Sequence, residues 1–367
     1  MWPELTCDHY RFVDDVLRVG RLTDGPMVER FEESFAEKVG ARHAVMCSSG
    51  TAAIHAALIA SGAAMSPMVH LPSFTFSGTA LGAAHLGMRF DWMDADLGTG
   101  NVTDFSSIAD DVDPIIIVHL HGNPAPVPVT DRVVIEDCAQ SFGSLASVET
   151  GEWTGRQGTV ACWSLNATKI MWAGEGGVVT CDHDGIAAEV RSLIRFGGSA
   201  DRTDNALGYN WKPDEVRAAL GAASLLHIDR WVDTAVRNAA ALSEHLKPMR
   251  EAIRPLLPTS GAVGNGHKYR VMVPEKIDVD ELVGLLNAAD VPACRWQTRP
   301  LPAHPGFGAS GYSERSEKNI RYARFILDHS VILGTETLPL QMFDESAMRR
   351  WATVFTGLVR QLAGVTT

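Results

Sequence analysis

The run Ile115–Val118 reads Ile-Ile-Ile-Val, with no polar residue alternating into it. A strand of that kind must be covered on both faces. Seven apolar runs punctuate the first half of the chain: His43–Ser49, Met68–Pro72, Met88–Met93, Pro114–Leu120, Val133–Cys138, Thr159–Leu165 and Gly177–Cys181. Helical or loop segments separate them. This alternation predicts a largely parallel α/β sheet with helices on its faces and ligand sites at the carboxyl ends of its strands. Val28, Phe31 and Phe35, at three- and four-residue spacing, predict an amphipathic helix over 27–40 closed by Gly40. Helices are also expected over 184–196 and 213–246, with a polar loop, Gly197–Asn205, between them. Beyond about residue 247 the texture changes. Pro255–His267 is rich in Pro and Gly, Lys268–Val273 alternates like a strand, and Asp278–Ala288 has a helical pattern. A chain of 367 residues is too long for one simple core. We expect a large domain over 1–246, with an N-terminal helical segment, and a smaller α/β domain over 247–367.

A net charge of −12 argues against a nucleic-acid footprint, which needs clustered Lys and Arg, although a local pocket can still bind an anion. The six cysteines are scattered without a C-x-x-C pair or zinc spacing, and Cys138 and Cys162 lie in apolar runs as reduced core residues. No run of about 18 apolar residues suggests a membrane span. The N-terminus lacks a basic region followed by an apolar stretch. The expectation is a soluble cytoplasmic protein without membrane or nucleic-acid partners.

Chemistry concentrates at the ends of the apolar runs. Lys169 closes Ser164-Leu-Asn-Ala-Thr-Lys169, just before the Gly174-Glu-Gly-Gly177 turn, and Asp137 follows Val133–Ile135. Ser49-Gly50-Thr51 opens an Ala/Leu-rich helix. A lysine, an aspartate and a serine so placed are the parts that hold pyridoxal 5′-phosphate (PLP). The lysine amine forms a Schiff base with the cofactor aldehyde. The aspartate keeps the pyridine nitrogen protonated. The Ser164 hydroxyl and the helix N-terminus at Gly50 and Thr51 bind phosphate. Ile170, Met171 and Trp172 beside Lys169 make an apolar wall that lowers its pKa and favours the neutral amine.

Taken together, these segments resemble the PLP-dependent sugar-aminotransferase family of the DegT/StrS type. The similarity begins near Gly25-Pro26 and runs through Ser49–Ala53, Pro72–Phe76, His119–Gly122, Val134–Gln140, Ser164–Lys169, Gly174–Gly177 and Leu207–Asn210. It implies PLP fold type I, whose large domain holds a seven-stranded sheet. It also implies that Gln140 lies near the phenolic oxygen of the cofactor and that Phe76 stacks on the pyridine ring. Phe74 is the competing aromatic if the segment stays extended. Asn210 is implied to reach the phosphate of a neighbouring subunit, making a homodimer with shared active sites. The chain departs from the family at Trp211-Lys212, where Tyr-Arg is usual, and a lysine lacks the planar fork for a bidentate anion contact. It departs again at Met171–Ala173. Trp172 has two readings, core packing or a wall of the acceptor pocket.

Other residues take plainer readings. Glu136 points away from Asp137 by strand alternation and has no cofactor role. His55 is a packed helix residue. His119 and His121 lack a third ligand, so no metal site is expected. The family's Pro-Leu-His pattern is loose here, so no role passes to His304.

The resemblance implies an aminotransferase in which glutamate or glutamine gives an amino group to a ketosugar, nucleotide-linked in the main reading. A scyllo-inosose-like keto-cyclitol is the runner-up acceptor. A PLP-dependent sugar dehydratase or lyase and a non-catalytic PLP-binding regulatory protein are the alternatives. Dehydrating relatives replace the lysine with histidine, which Lys169 does not match. The substrate wall is expected from Gly197–Asn205, Trp172 and Arg295–His304.

Overall fold

A computed structural model describes residues 1–108, 112–198, 207–308 and 320–364. All seven apolar runs enter one sheet. Its strands are β1 (His43–Cys47), β2 (Met68–Pro72), β3 (Arg89–Met93), β4 (Ile115–Val118) and β5 (Val134–Asp137). A short hairpin of β6 (Leu145–Ser147) and β7 (Glu152–Trp153) intervenes before β8 (Val160–Ser164) and β9 (Gly177–Cys181). The order across the sheet is β1-β9-β8-β5-β4-β2-β3. Strand β9 runs antiparallel to both its neighbours, and the remaining neighbours are parallel. The sheet is therefore mixed. Residues 165–176 contain no helix to carry the chain back across the sheet, so β9 returns directly beside β8.

The absence of polar alternation has a visible cause. In β1, Val45 and Cys47 join the core under helices α3 (Gly50–Ala60) and α5 (Asp184–Leu193), while Ala44 and Met46 join the opposite core. In β8, Val160 and Cys162 face the first core and Ala161 and Trp163 the second. The second core is closed by α1 (Cys7–Val19), α2 (Pro26–Val39) and the long α6 (Glu215–Leu246). Helix α2 starts on Pro26 at its first position and ends on Gly40 at φ 73°, the arrangement that proline's fixed φ and glycine's freedom favour. Phe31 and Phe35 of α2 are fully buried.

The C-terminal region has its own antiparallel sheet, ordered β10 (Arg254–Pro255), β11 (Tyr269–Met272), β13 (Ser330–Leu333) and β12 (Ala293–Cys294). Helices Val279–Ala288 and Glu345–Ala363 pack into one core with it, including Leu282, Trp351 and Phe355. The polar members of the Lys268–Val273 alternation do not face water, for Lys268 and Arg270 are both buried. Helix α6 belongs to both regions. Ala218–Ala235 lie in the core against α1 and α2, whereas Leu242 and Leu246 lie in the C-terminal core. No described helix is long and apolar enough to cross a membrane.

Candidate active site

Strands β5 and β8 end side by side, and their last residues, Asp137 and Ser164, open into one cavity of about 370 Å³. Gly50, Thr51, Phe76, Gln140 and Lys169 line it as well. Among the expected cofactor residues only Asn210 is absent from this lining. It is exposed, pairs with Arg195 as an isolated bridge, and accepts a hydrogen bond from Lys212 Nζ at 2.6 Å.

Asp137 shares its strand face with Ile135, and Glu136 points the other way, as alternation requires. The Thr79 hydroxyl donates to Asp137 at 2.7 Å and the Ala139 N–H at 3.1 Å. Burial pushes the Asp137 carboxyl above its ordinary value, against the pull of these donors and of Lys169. Burial likewise pushes the Lys169 amine below its ordinary value, opposed by Asp137 and Glu336. Lys169 has no hydrogen-bond partner for its amine among the described residues. A buried amine held toward neutrality can attack an aldehyde. A protonated ring nitrogen against Asp137 supplies the opposite charge that favours the ionised acid.

The other end of the cavity suits a phosphate. Ser49 caps α3, accepting from Ala52 N–H at 3.1 Å, and the N–H groups of the first turn have no acceptor within the helix. Ser164 adds a hydroxyl beside them. A Cβ on Gly50 would lie 3.0 Å from Ser164 Cβ, so the close approach of helix and strand favours a glycine there. Gln140 accepts from the His121 N–H at 2.7 Å through Oε1, which leaves its amide nitrogen to the cavity. Phe76, 54% exposed, lines the cavity; Phe74, 1% exposed, packs into the core against His121. The two separate because the chain leaves β2 at Pro72 and turns into helix α4 (Ser77–His85), for which Phe76 is the N-cap. An acid, an aromatic wall, an amine and a helix N-terminus with a hydroxyl thus surround one space, and this donor set fits PLP.

Trp172 is buried and stacks on His9 with ring centroids 4.7 Å apart, which makes it core. His55 is packed as expected, its Nε2 3.0 Å from the Tyr209 hydroxyl. His304 is exposed and accepts from Gly306 N–H at 3.1 Å. Residues 199–205 of the expected substrate wall lie outside the described residues. His119 and His121 gather no third ligand as a pair, since the cluster of possible ligand atoms among the described residues contains His119 but not His121. His119, Glu136 and Cys138 bring one ligand atom each to within 4.8 Å of one another. His119 Nδ1 accepts from Ala125 N–H at 3.0 Å, so its Nε2 carries the proton and donates to Glu136 at 2.9 Å. Glu136 also accepts from the N–H groups of Gly155 and Gln157, each at 2.8 Å, and from Gly158. Both imidazole nitrogens are spent in this network.

Sequence reasoning missed Thr79, Thr168 and Glu336. Thr79 lies one turn into α4, and Glu336 stands in the turn after β13, with no motif around either. Trp296, also in the lining, falls inside the stretch expected to form the substrate wall.

The DegT/DnrJ/EryC1/StrS aminotransferase family matches residues 4–337. A pleiotropic regulatory protein of Geobacillus stearothermophilus is 30% identical over 359 residues, covering 94% of this chain and 91% of that protein. The GDP-perosamine synthase of Caulobacter vibrioides is 31% identical over 218 residues, covering 56% of this chain and 58% of that enzyme. Among solved structures, DesI in the presence of its TDP-sugar product has a TM-score of 0.83 at 25% identity, covering 97% of this chain and 92% of that one. The chain therefore belongs to the DegT/DnrJ/EryC1/StrS aminotransferase family and is a PLP-dependent aminotransferase of fold type I.

Proposed function

We propose that the protein transfers an amino group from glutamate or glutamine to a nucleotide-linked ketosugar. The observation that carries the transfer chemistry is the convergence of Lys169, Asp137 and the N-terminus of α3 on one cavity. The sugar reading is supported by the relatives, one named for making GDP-perosamine and one solved with a TDP-sugar product. PLP, when bound, supplies the electron sink that stabilises negative charge on the substrate carbon. The protein's own groups do the rest. Gly50, Thr51 and Ser164 would hold the phosphate, Phe76 would flank the ring, and Asp137 would keep the ring nitrogen charged. Burial keeps the Lys169 amine ready to take up and return the proton on that carbon. Incubating the holoenzyme with glutamate and a panel of ketones tests the acceptor. A nucleotide-linked ketosugar should yield a product in which an amine replaces one carbonyl oxygen. Turnover of a keto-cyclitol alone would favour the aminocyclitol reading. Consumption of glutamate with no acceptor used would refute the ketosugar assignment. The regulatory reading draws on the name of the Geobacillus relative, and failure to convert both glutamate and glutamine would favour it.

Asn210, exposed and outside its own chain's cavity, serves in this reading the phosphate of a second copy. Mixed dimers of Lys169→Ala and Asn210→Ala chains then contain one intact site each. Activity should reappear on mixing two impaired parents, and no recovery in proven heterodimers would remove the shared site.

A further inference from the structure

Trp296 and Glu336 line the Lys169 cavity, yet holding PLP needs neither. Beside them opens a second cleft of about 10 Å³, and Thr168 and Glu336 line both spaces. Lys268 stands in this cleft. Its ammonium lies 3.3 Å from the Glu336 carboxylate and 4.0 Å from the centre of the Trp296 ring. The lysine side chain is 6% exposed and the glutamate side chain 44%. Among the described residues, Lys169 and Lys268 are the only lysine or arginine side chains lining the two spaces.

We propose that Lys268 is the receptor for a carboxylate of the amino donor, with Glu336 as an internal placeholder that the incoming carboxylate displaces. Glu336 is free to turn into water, whereas Lys268 is fixed beneath the Trp296 ring by a cation–π contact. An exchange of one carboxylate for another keeps the buried ammonium paired throughout, which avoids the cost of an unpaired buried charge. The cleft has room for one water-sized group. A single carboxylate oxygen fits there, and the cleft adjoins the Lys169 cavity through Thr168 and Glu336, where the amino donor would sit. Burial lowers the Lys268 pKa to about 8, with Glu336 opposing, so the cation persists at neutral pH. Burial also keeps the neighbouring His121 and His267 neutral, which leaves Lys268 as the charge of the cleft. The inference rests on the transfer from an amino acid and is independent of which ketone accepts.

The test follows the visible spectrum of the holoenzyme against glutamate concentration at about pH 6.5, below the Lys268 value. Lys268→Met should raise half-saturating glutamate by roughly tenfold or more, with a much smaller change in the limiting rate. Lys268→Arg should restore binding. Glu336→Gln, which removes the placeholder, should bind glutamate as tightly as the wild type or tighter. Succinate, which has carboxylates but no amine, should compete with glutamate in the wild type. Unchanged half-saturation in Lys268→Met would overturn the proposal. So would an equal loss in Glu336→Gln, because the pair would then be a structural tie. If Lys268→Met does not retain PLP, absence of succinate competition in the wild type overturns it instead. An enzyme with this pattern that aminates no ketosugar would keep the receptor and lose only the acceptor reading.

Discussion

At the scale of single residues, function depends on groups whose charge is shifted by burial. Asp137 and Lys169 are each pushed toward neutrality in the cavity, and each recovers its role against a partner of opposite character. Asp137→Asn should retain the fold and still bind PLP, because the amide oxygen can accept from the Ala139 N–H while the Thr79 hydroxyl turns to accept from the amide nitrogen. It should nevertheless lose activity by at least about a hundredfold, since an amide cannot hold a protonated ring nitrogen. Steady-state kinetics at saturating PLP checks this, and equal activity would remove Asp137 from the mechanism. These residues were legible because strand ends and a helix start place them at one edge of the sheet. Glu336 and Lys268 were not legible. Their proximity to Lys169 comes from packing of the C-terminal sheet against the cavity, and no local pattern encodes it.

At the scale of elements, the runs of the large sheet were readable because both faces are covered and no polar residue interrupts them. The direction of β9 was not, since an apolar run carries no sign of its orientation. The alternation in β11 was read as a strand but concealed a fully buried one, because Arg270 spends its charge inside the protein. The loop after β7 hangs on Glu136, whose carboxylate gathers the N–H groups of Gly155, Gln157 and Gly158 and the proton of His119. Glu136→Ala leaves the Gly155 N–H and the His119 Nε2–H buried without an acceptor and should cost about 3 kcal/mol or more of stability. Denaturant unfolding of the holoenzyme measures it, and a change within experimental scatter would show the network to be incidental. Burial raises the Glu136 pKa, but the donors outweigh it and hold the value below the ordinary one. The folded-state pKa is depressed, so this contribution is present above the unfolded value and is lost as pH falls through the folded one.

At the scale of the molecule, the N-terminal segment is bound into the body of the fold. Trp2 Nε1 donates to the Lys169 carbonyl at 3.1 Å, and His9 lies between Trp172 and His227 in a row of stacked rings. Burial, followed by the nearby His227, lowers the His9 pKa to about 4. The unfolded chain therefore binds a proton below about 6.5 that the folded protein refuses until about 4. Stability should fall as pH drops through that window, and burial of His121 and His267 adds in the same direction. Unfolding midpoints from pH 7 downward test this, with His9→Phe expected to flatten part of the slope; a flat wild-type profile would contradict it. The proposed second subunit is the feature of this scale least visible in one chain. Asn210 was singled out only by its motif, and it does not line its own chain's cavity.

Lys169 is the residue proposed to hold the cofactor. Borohydride reduction of the holoenzyme followed by peptide mapping addresses it directly. The account predicts that PLP becomes fixed to a single peptide containing Lys169, and that Lys169→Ala neither labels nor transaminates. Label on another lysine, Lys268 above all, or normal turnover by Lys169→Ala, would contradict it.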